Sequence, residues 1–350
     1  MPNPDLAGGP SVDVHTHLFP RRLSEAFEAG TAASGLPSLQ VHDDGTGEIM
    51  LGGQLFRRVS AASWNIARRI ERMDRDGVGV QVLSPVPVTL AGAADPATAT
   101  AWARRQNELL AEIVSGQPGR FAALGMVPLQ DPDAAVTELE YAVTELGLRG
   151  VEIGTETGGR ELDHPSLTGF FAAAESLRAP LFVHPTDGAG AIRRRGQPYE
   201  FGLGMLTDTA LAATALVFGG VLERFPGLKV ALAHGCGTFA WVYPRLVRGA
   251  GIGRAPADQD RLGELARSLW TDTLVFDEAH LALLAERFGD AHIMFGSDFP
   301  FYDPRWGSPS AVIAAAQLGG LISEASAARM YRSNALDFFG IPVPPHSRGD

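Results

Sequence analysis

The chain has 350 residues, 45 % hydrophobic and 20 % charged, with a net charge of -11. That length suits one α/β barrel and that composition an ordinary globular protein. The acidic balance excludes general binding to nucleic acid or to an acidic membrane, which needs a basic surface. Cys236 is the single cysteine, which excludes an intrachain disulfide framework and a cysteine metal cluster.

The first eleven residues lack a basic start followed by an apolar core, so a secretory signal is not expected and a cytoplasmic location is. Residues 11–17 read as a strand, from the apolar run Ser11-Val12-Asp13-Val14. His15 and His17, two positions apart, then point to the same side and emerge together at its carboxyl end. That is how one strand presents two nitrogen ligands to one metal ion.

Roughly forty residues separate this strand from a helical pattern at about 64–75, too many for a plain connection. Within them, 39–42, a turn at 43–47 and 48–51 read as a β-hairpin, with 54–59 as a candidate third strand. This insertion, about 18–63, follows the first strand and so would sit over the catalytic face of a barrel. Further strands are expected at 78–84, 121–127, 150–154, 180–184, 229–234, 268–276 and 292–297, each followed by a helical pattern, clearest at 133–146 and 165–177. Eight β-then-α units predict a (β/α)8 TIM barrel forming one domain over 1–350. The rival, an open doubly wound sheet, wants a Gly-rich phosphate turn after the first strand, and this chain has none there. The longest apolar stretch, about 210–222, is too short and too Gly-broken to span a bilayer.

His184 ends the fifth strand, His234 the sixth and Asp298 the eighth, each at a carboxyl end, where barrel chemistry occurs. With His15 and His17 they form one candidate metal site. The histidines at 42, 164, 280, 292 and 346 lack this placement and read as structural or solvated. Arg193, Arg194 and Arg195, in the loop after strand five, read as a solvated stretch.

Five segments carry a family resemblance: 80–88 (Val80 to Val88), 150–155 (Gly150 to Thr155), 181–185 (Leu181 to Pro185), 219–229 (Gly219 to Lys229) and 296–301 (Gly296 to Phe301). From Val12 to about Phe339 the chain resembles the amidohydrolase superfamily, in the branch containing aminocarboxymuconate semialdehyde decarboxylase. The resemblance implies a metal-dependent, non-oxidative decarboxylase of an unsaturated or aromatic carboxylic acid, with no organic cofactor. It implies His15, His17, His184 and Asp298 as ligands of a divalent ion, most simply Zn2+, and His234 as the catalytic base that activates metal-bound water. Arg57, in the insertion, and Arg245, reached from a neighbouring subunit of a homodimer, would grip the substrate carboxylate.

Three departures from the family pattern bear on the substrate. Thr186 stands where the family decarboxylase has a tryptophan, Thr89-Leu90-Ala91-Gly92-Ala93 where it has aromatic residues, and Gly235-Cys236-Gly237 replaces its Gly-rich run. Loss of aromatic bulk at the mouth predicts a wider or differently shaped pocket. Glu152, on strand four, replaces a glutamine. In binuclear members of the superfamily a carboxylate at that place bridges two metals. Glu152 and His234 therefore form a possible second-metal set, with two Fe or Zn ions and Asp298 as the proton acceptor. A hydrolase or hydratase of related acids, and a di-iron oxidative enzyme, are the alternative functions.

Overall fold

The computed structural model describes residues 9–27, 35–186, 188–252 and 259–342; His346 lies outside them. The first strand, Ser11–Leu18, pairs in parallel with Val78–Pro85, and that strand with Phe121–Ala123. Gly125–Met126 pairs with Val151–Gly154, followed in order by Leu181–His184, Val230–Leu232, Trp270–Asp272 and Ile293–Met294, all parallel. The ring closes where Val14 N donates to Phe295 O at 2.9 Å and Phe299 N to His15 O at 3.2 Å. This is the eightfold barrel that the alternation of elements predicts.

Boundaries differ in instructive ways. The third strand, expected to run unbroken over 121–127, divides at Leu124. Leu124 N still donates to Leu83 O of the second strand, whereas Gly125 N donates to Gly150 O before the fourth, so the chain changes partners there. The last three strands are shorter than expected because their ends turn into loops that carry side chains toward the rim. The helix expected at 133–146 is α-helical over Pro132–Glu140 and widens to a π turn at Tyr141–Glu145. The helix near 64–75 runs Ile66–Asp76, capped by Asn65, whose side chain accepts from Arg68 N, and ended by left-handed Gly77.

Alternate strand residues go to two clusters. Val80, Ala122, Phe182, Ala231 and Met294 share a cluster that fills the barrel, while Val151, Leu181, Val183 and Ile293 belong to the larger one formed with the helices. The helical run from Glu200 to Arg224 is longer than the apolar stretch read from sequence. At 25 residues it has the length and apolar composition of a membrane span, yet half of its most apolar stretch is buried inside the fold.

The insertion contains a short helix, Arg21–Phe27, which the sequence reading did not anticipate, and a three-stranded antiparallel sheet, Pro37–Val41, Thr46–Leu51 and Gln54–Ser60. Leu23, Leu39, Ile49 and Val59 pack with fully buried Trp102, so one face of the insertion is anchored to the helix Pro96–Gly116. Ile49 pairs with Arg57 but Met50 with Leu55, which leaves Phe56 as an extra, bulged residue.

Candidate metal centre

The first strand has its own register shift, between Asp13 and Thr16. The extra residue breaks the period of two, so Asp13 and His15 meet different surroundings. Asp13 turns to Ser297, accepting from its N at 3.0 Å and its Oγ at 2.5 Å. His15 and His17 turn inward to the rim. There His15 Nε2 lies 3.2 Å from His17 Nε2 and 3.1 Å from His184 Nε2. Asp298 Oδ1 lies 3.2 Å from His17 Nε2 and 3.6 Å from His15 Nε2. One ligand atom from each of these four residues falls within 4.8 Å of all the others.

The opposite ring nitrogens are all engaged. His15 Nδ1 pairs with Asp272 Oδ2 at 2.7 Å, His17 Nδ1 with Pro85 O at 2.9 Å and His184 Nδ1 with Pro185 O at 2.6 Å. Since a carbonyl or carboxylate oxygen accepts, each Nδ1 donates and each neutral ring presents an Nε2 lone pair inward. Three lone pairs and a carboxylate oxygen in near contact repel one another unless a cation lies among them. The donor set, three imidazoles and one carboxylate, therefore fits a divalent metal ion.

The charges follow the same logic. Burial opposes charge on Asp298, but the hydrogen bond to His17 and the nearby His15 outweigh it and hold the carboxyl at about 2. Burial opposes the charged form of His15 too, yet Asp272, aided by Asp298 and Glu152, pushes it up to about 9. Without metal, a proton on His15 thus compensates the carboxylates. Burial lowers His17 and carries His184 well below the usual histidine range.

Asp272 is the residue the sequence reading missed. Besides His15 it accepts from His234 N at 2.9 Å, Gly235 N at 2.9 Å and Leu274 N at 3.0 Å. One carboxylate thereby ties strands one, six and seven together beneath the ligands. A fully buried aspartate near the carboxyl end of the seventh strand was the available signal, but without a paired histidine in sequence it resembled any strand-end acid. Arg69, also fully buried, donates to His17 O, to Gln81 Oε1 at 2.9 Å and to Ala62 O at 3.2 Å, and so fixes the backbone of the second ligand.

Several rim residues occupy left-handed backbone: His234 at φ 58, Cys236 at φ 65 and Asp298 at φ 58. Such conformations cost energy in non-glycine residues and concentrate at functional sites. Gly235, at φ 63, allows the turn, because a Cβ there would lie 2.3 Å from Val275 Cγ1. Gly296 serves close approach instead: its Cβ would lie 2.8 Å from both His15 Cβ and Asp272 Cβ.

His234 sits beside the cluster, its ring centroid 5.1 Å from that of His15 and 4.9 Å from that of His184. Burial, then the charge of His15, brings it down to about 4, and its buried Nδ1 has no hydrogen-bond partner among the described residues. An orphaned nitrogen beside a ligand cluster is what a site built for a bound group leaves behind. Glu152 is fully buried on strand four near the Ser84 hydroxyl, and among the described residues neither carboxyl oxygen has a well-formed hydrogen bond. Burial, opposed by His15, raises it well above the usual carboxyl range. Neither Glu152 nor His234 belongs to the four-residue cluster.

A cavity of about 240 Å³ opens over the site, with His17, His184, His234, Asp298 and Arg57 in its wall. The bulge at Phe56 lets both Phe56 and its neighbour Arg57 line it. The Arg57 guanidinium lies 4.6 Å from the ring centroid of Phe301 and makes no hydrogen bond or ion pair among the described residues. Arg245 is exposed on the helix Phe239–Ala250 and does not line this cavity. Arg193, Arg194 and Arg195 are exposed and likewise absent from it.

Comparison with known proteins gives these features a setting. The family described as Amidohydrolase matches residues 12–341. The 2-amino-3-carboxymuconate-6-semialdehyde decarboxylase of Dictyostelium discoideum is 34 % identical over 339 residues, covering 94 % of this chain and 91 % of that protein. The barrel resembles the apo IDCase of Metarhizium anisopliae, with a TM-score of 0.81 at 20 % identity over 97 % of this chain and 99 % of the other. It also resembles a dihydroxybenzoic acid decarboxylase of Polaromonas sp. JS666, solved with manganese and the inhibitor 2-nitroresorcinol. That TM-score is 0.73 at 22 % identity, over 95 % and 97 % of the two chains.

Proposed function

Because the chain belongs to the amidohydrolase family, in the branch resembling the aminocarboxymuconate semialdehyde decarboxylases, we propose that it is a metal-dependent carboxy-lyase that decarboxylates an aromatic or unsaturated acid without oxidation. One observation carries this reading: His17, His184 and Asp298 of the three-histidine, one-aspartate cluster line one cavity together with Arg57, which makes no hydrogen bond or ion pair among the described residues.

His15, His17, His184 and Asp298 would hold the ion. When bound it supplies positive charge and Lewis acidity beside negative charge developing on the substrate. Zinc or manganese suits the donor set; the Polaromonas enzyme holds manganese. Arg57 binds the substrate carboxylate or a neighbouring oxygen as a planar fork, and Phe301 beneath it keeps the guanidinium aimed at the cavity. The bond between the ring carbon and the carboxyl carbon breaks, the electron pair stays on the ring carbon, and carbon dioxide leaves. His234 takes a proton from water in the cavity and passes it to that ring carbon, so one solvent proton is consumed as carbon dioxide leaves; Asp298, a carboxylate, is the second group that could accept and relay it. Arg245, exposed in this chain, would act in the site of a second subunit; activity unchanged in dilute monomer would remove that role.

The test uses hydroxybenzoates labelled with carbon-13 at the carboxyl group, in heavy water. The expected result is labelled carbon dioxide with one deuteron at the vacated ring position, abolished by chelation and restored by zinc or manganese. Addition of water across a double bond, or hydrolysis, with no carbon dioxide would overturn it.

A second reading rests on the buried Glu152 carboxyl, which among the described residues has no well-formed hydrogen bond and only the Ser84 hydroxyl near it. A bridging carboxylate there would support two ions about 3.5–4 Å apart, with His234 as a ligand. Metal titration separates the readings: two equivalents falling to one in Glu152→Gln support the pair, and one equivalent in both proteins excludes it.

A further inference from the structure

The metal cavity continues into a larger lobe. A second cavity of about 420 Å³ lies between the loops after strands two, three and four, and shares Phe56, Pro87, Val88 and Thr186 with the first. A third, aromatic cavity of about 590 Å³ shares only Phe201 with it, and there the rings of Phe276, Tyr302 and Trp306 pack on one another at centroid distances of 5.4–6.2 Å. The four-residue seam makes the first lobe the natural extension of the active site.

Its wall is more apolar than polar, and of its polar side chains Gln130 and Glu156 are engaged while Thr157 and Thr186 also border it. Leu90, Val127, Leu129 and Ile153 line it. Gln130 turns its amide to Ala91 O at 3.1 Å and Ala94 O at 3.2 Å, and Glu156 accepts from Gly159 N at 2.5 Å. Room comes from small residues: Ala91, Gly92, Ala93, Gly154 and Gly158 all border it. At its edge the insertion leaves Leu51 37 % and Phe56 43 % exposed, apolar surface that none of the described residues covers fully. A single-ring acid reaching Arg57 would leave this space to water against the apolar side chains of Leu51, Phe56, Leu90 and Leu129.

We propose that the substrate is an acid with an apolar tail: its carboxylate end lies between Arg57 and the metal cluster, and its tail of several carbons lies in the lobe lined by Leu90, Ala93 and Leu129. This rests on the carboxy-lyase reading, since it takes the position of the acid head from it. Burial of each methylene adds about fourfold in affinity, from about 0.8 kcal/mol per methylene and 1.4 kcal/mol per tenfold.

The experiment measures binding, by calorimetry on the metal-loaded protein, of benzoates carrying linear alkyl chains from methyl to hexyl at the meta or para position. In wild type the affinity rises about fourfold per methylene along one of the two series. Ala93→Trp, at an exposed position bordering the lobe, flattens that slope. A flat or falling wild-type series, or an Ala93→Trp slope equal to wild type, overturns the lobe while short benzoates still bind and the carboxy-lyase reading stands. No binding by any member, methyl included, overturns the acid-binding reading and the lobe with it.

Discussion

The rim of the barrel and the inserted sheet contribute to the same cavity by opposite means. At the rim every ligand is buried or nearly so, and every ligating histidine has its second nitrogen tied to Asp272, Pro85 or Pro185. In the insertion, Gln54–Ser60 is an edge strand whose residues are exposed except for Val59, and the Arg57 guanidinium lies over the ring of Phe301 with no hydrogen bond or ion pair among the described residues. The contrast teaches a division of labour. Metal binding needs lone pairs fixed to within tenths of an ångström, which packed parallel strands provide. Under the proposed function, substrate choice would fall to groups that can be exchanged at little cost to the fold, as on this exposed strand with one bulge.

The largest effect expected is from the rim. Asp298→Ala or His184→Ala should lose bound metal and fall to background turnover, measured by metal analysis and carbon dioxide release; retention of both would dissolve the rim's role. Next comes His234→Ala, which keeps its metal and loses roughly 10²–10⁴-fold in turnover, the usual contribution of a positioned proton-transfer group. Loss of a metal equivalent in that variant would move His234 into the ligand set. Asp272→Asn keeps the shape but weakens the acceptor for His15 Nδ1, and metal affinity should fall about 10–100-fold, read by competition with a chelator. Gly296→Ala should lower thermal stability by about 1–3 kcal/mol, since its Cβ overlaps both His15 and Asp272. Arg57→Lys sharpens the comparison from the other side: KM rises, while metal content and Tm stay at wild-type values, because lysine cannot reproduce the fork.

Sequence carried the rim further than the insertion. The i, i+2 histidines and three strand-end residues could be placed because a barrel sends strand ends to one face, whatever the intervening helices do. Two bulges could not be placed. The shift between Asp13 and Thr16 and the extra residue Phe56 depend on pairing with distant strands, and period-two reading assumes that no such residue exists. Asp272 escaped for a related reason: its importance lies in four hydrogen bonds to residues 2–257 positions away. Arg57 was placed through family resemblance; what the fold adds is the bulge and the Phe301 ring that aim it. The partner change at Leu124 and the helix at Arg21–Phe27 likewise answer to tertiary packing more than to local pattern.

The central claim is that four converging side chains at the rim hold a divalent ion. Calorimetric titration of metal-stripped protein with manganese tests it most directly. The account predicts saturable binding in wild type, reduced to nothing measurable in Asp298→Ala with the fold intact by circular dichroism. Absence of saturable binding in wild type, or equal binding in both proteins, would contradict it.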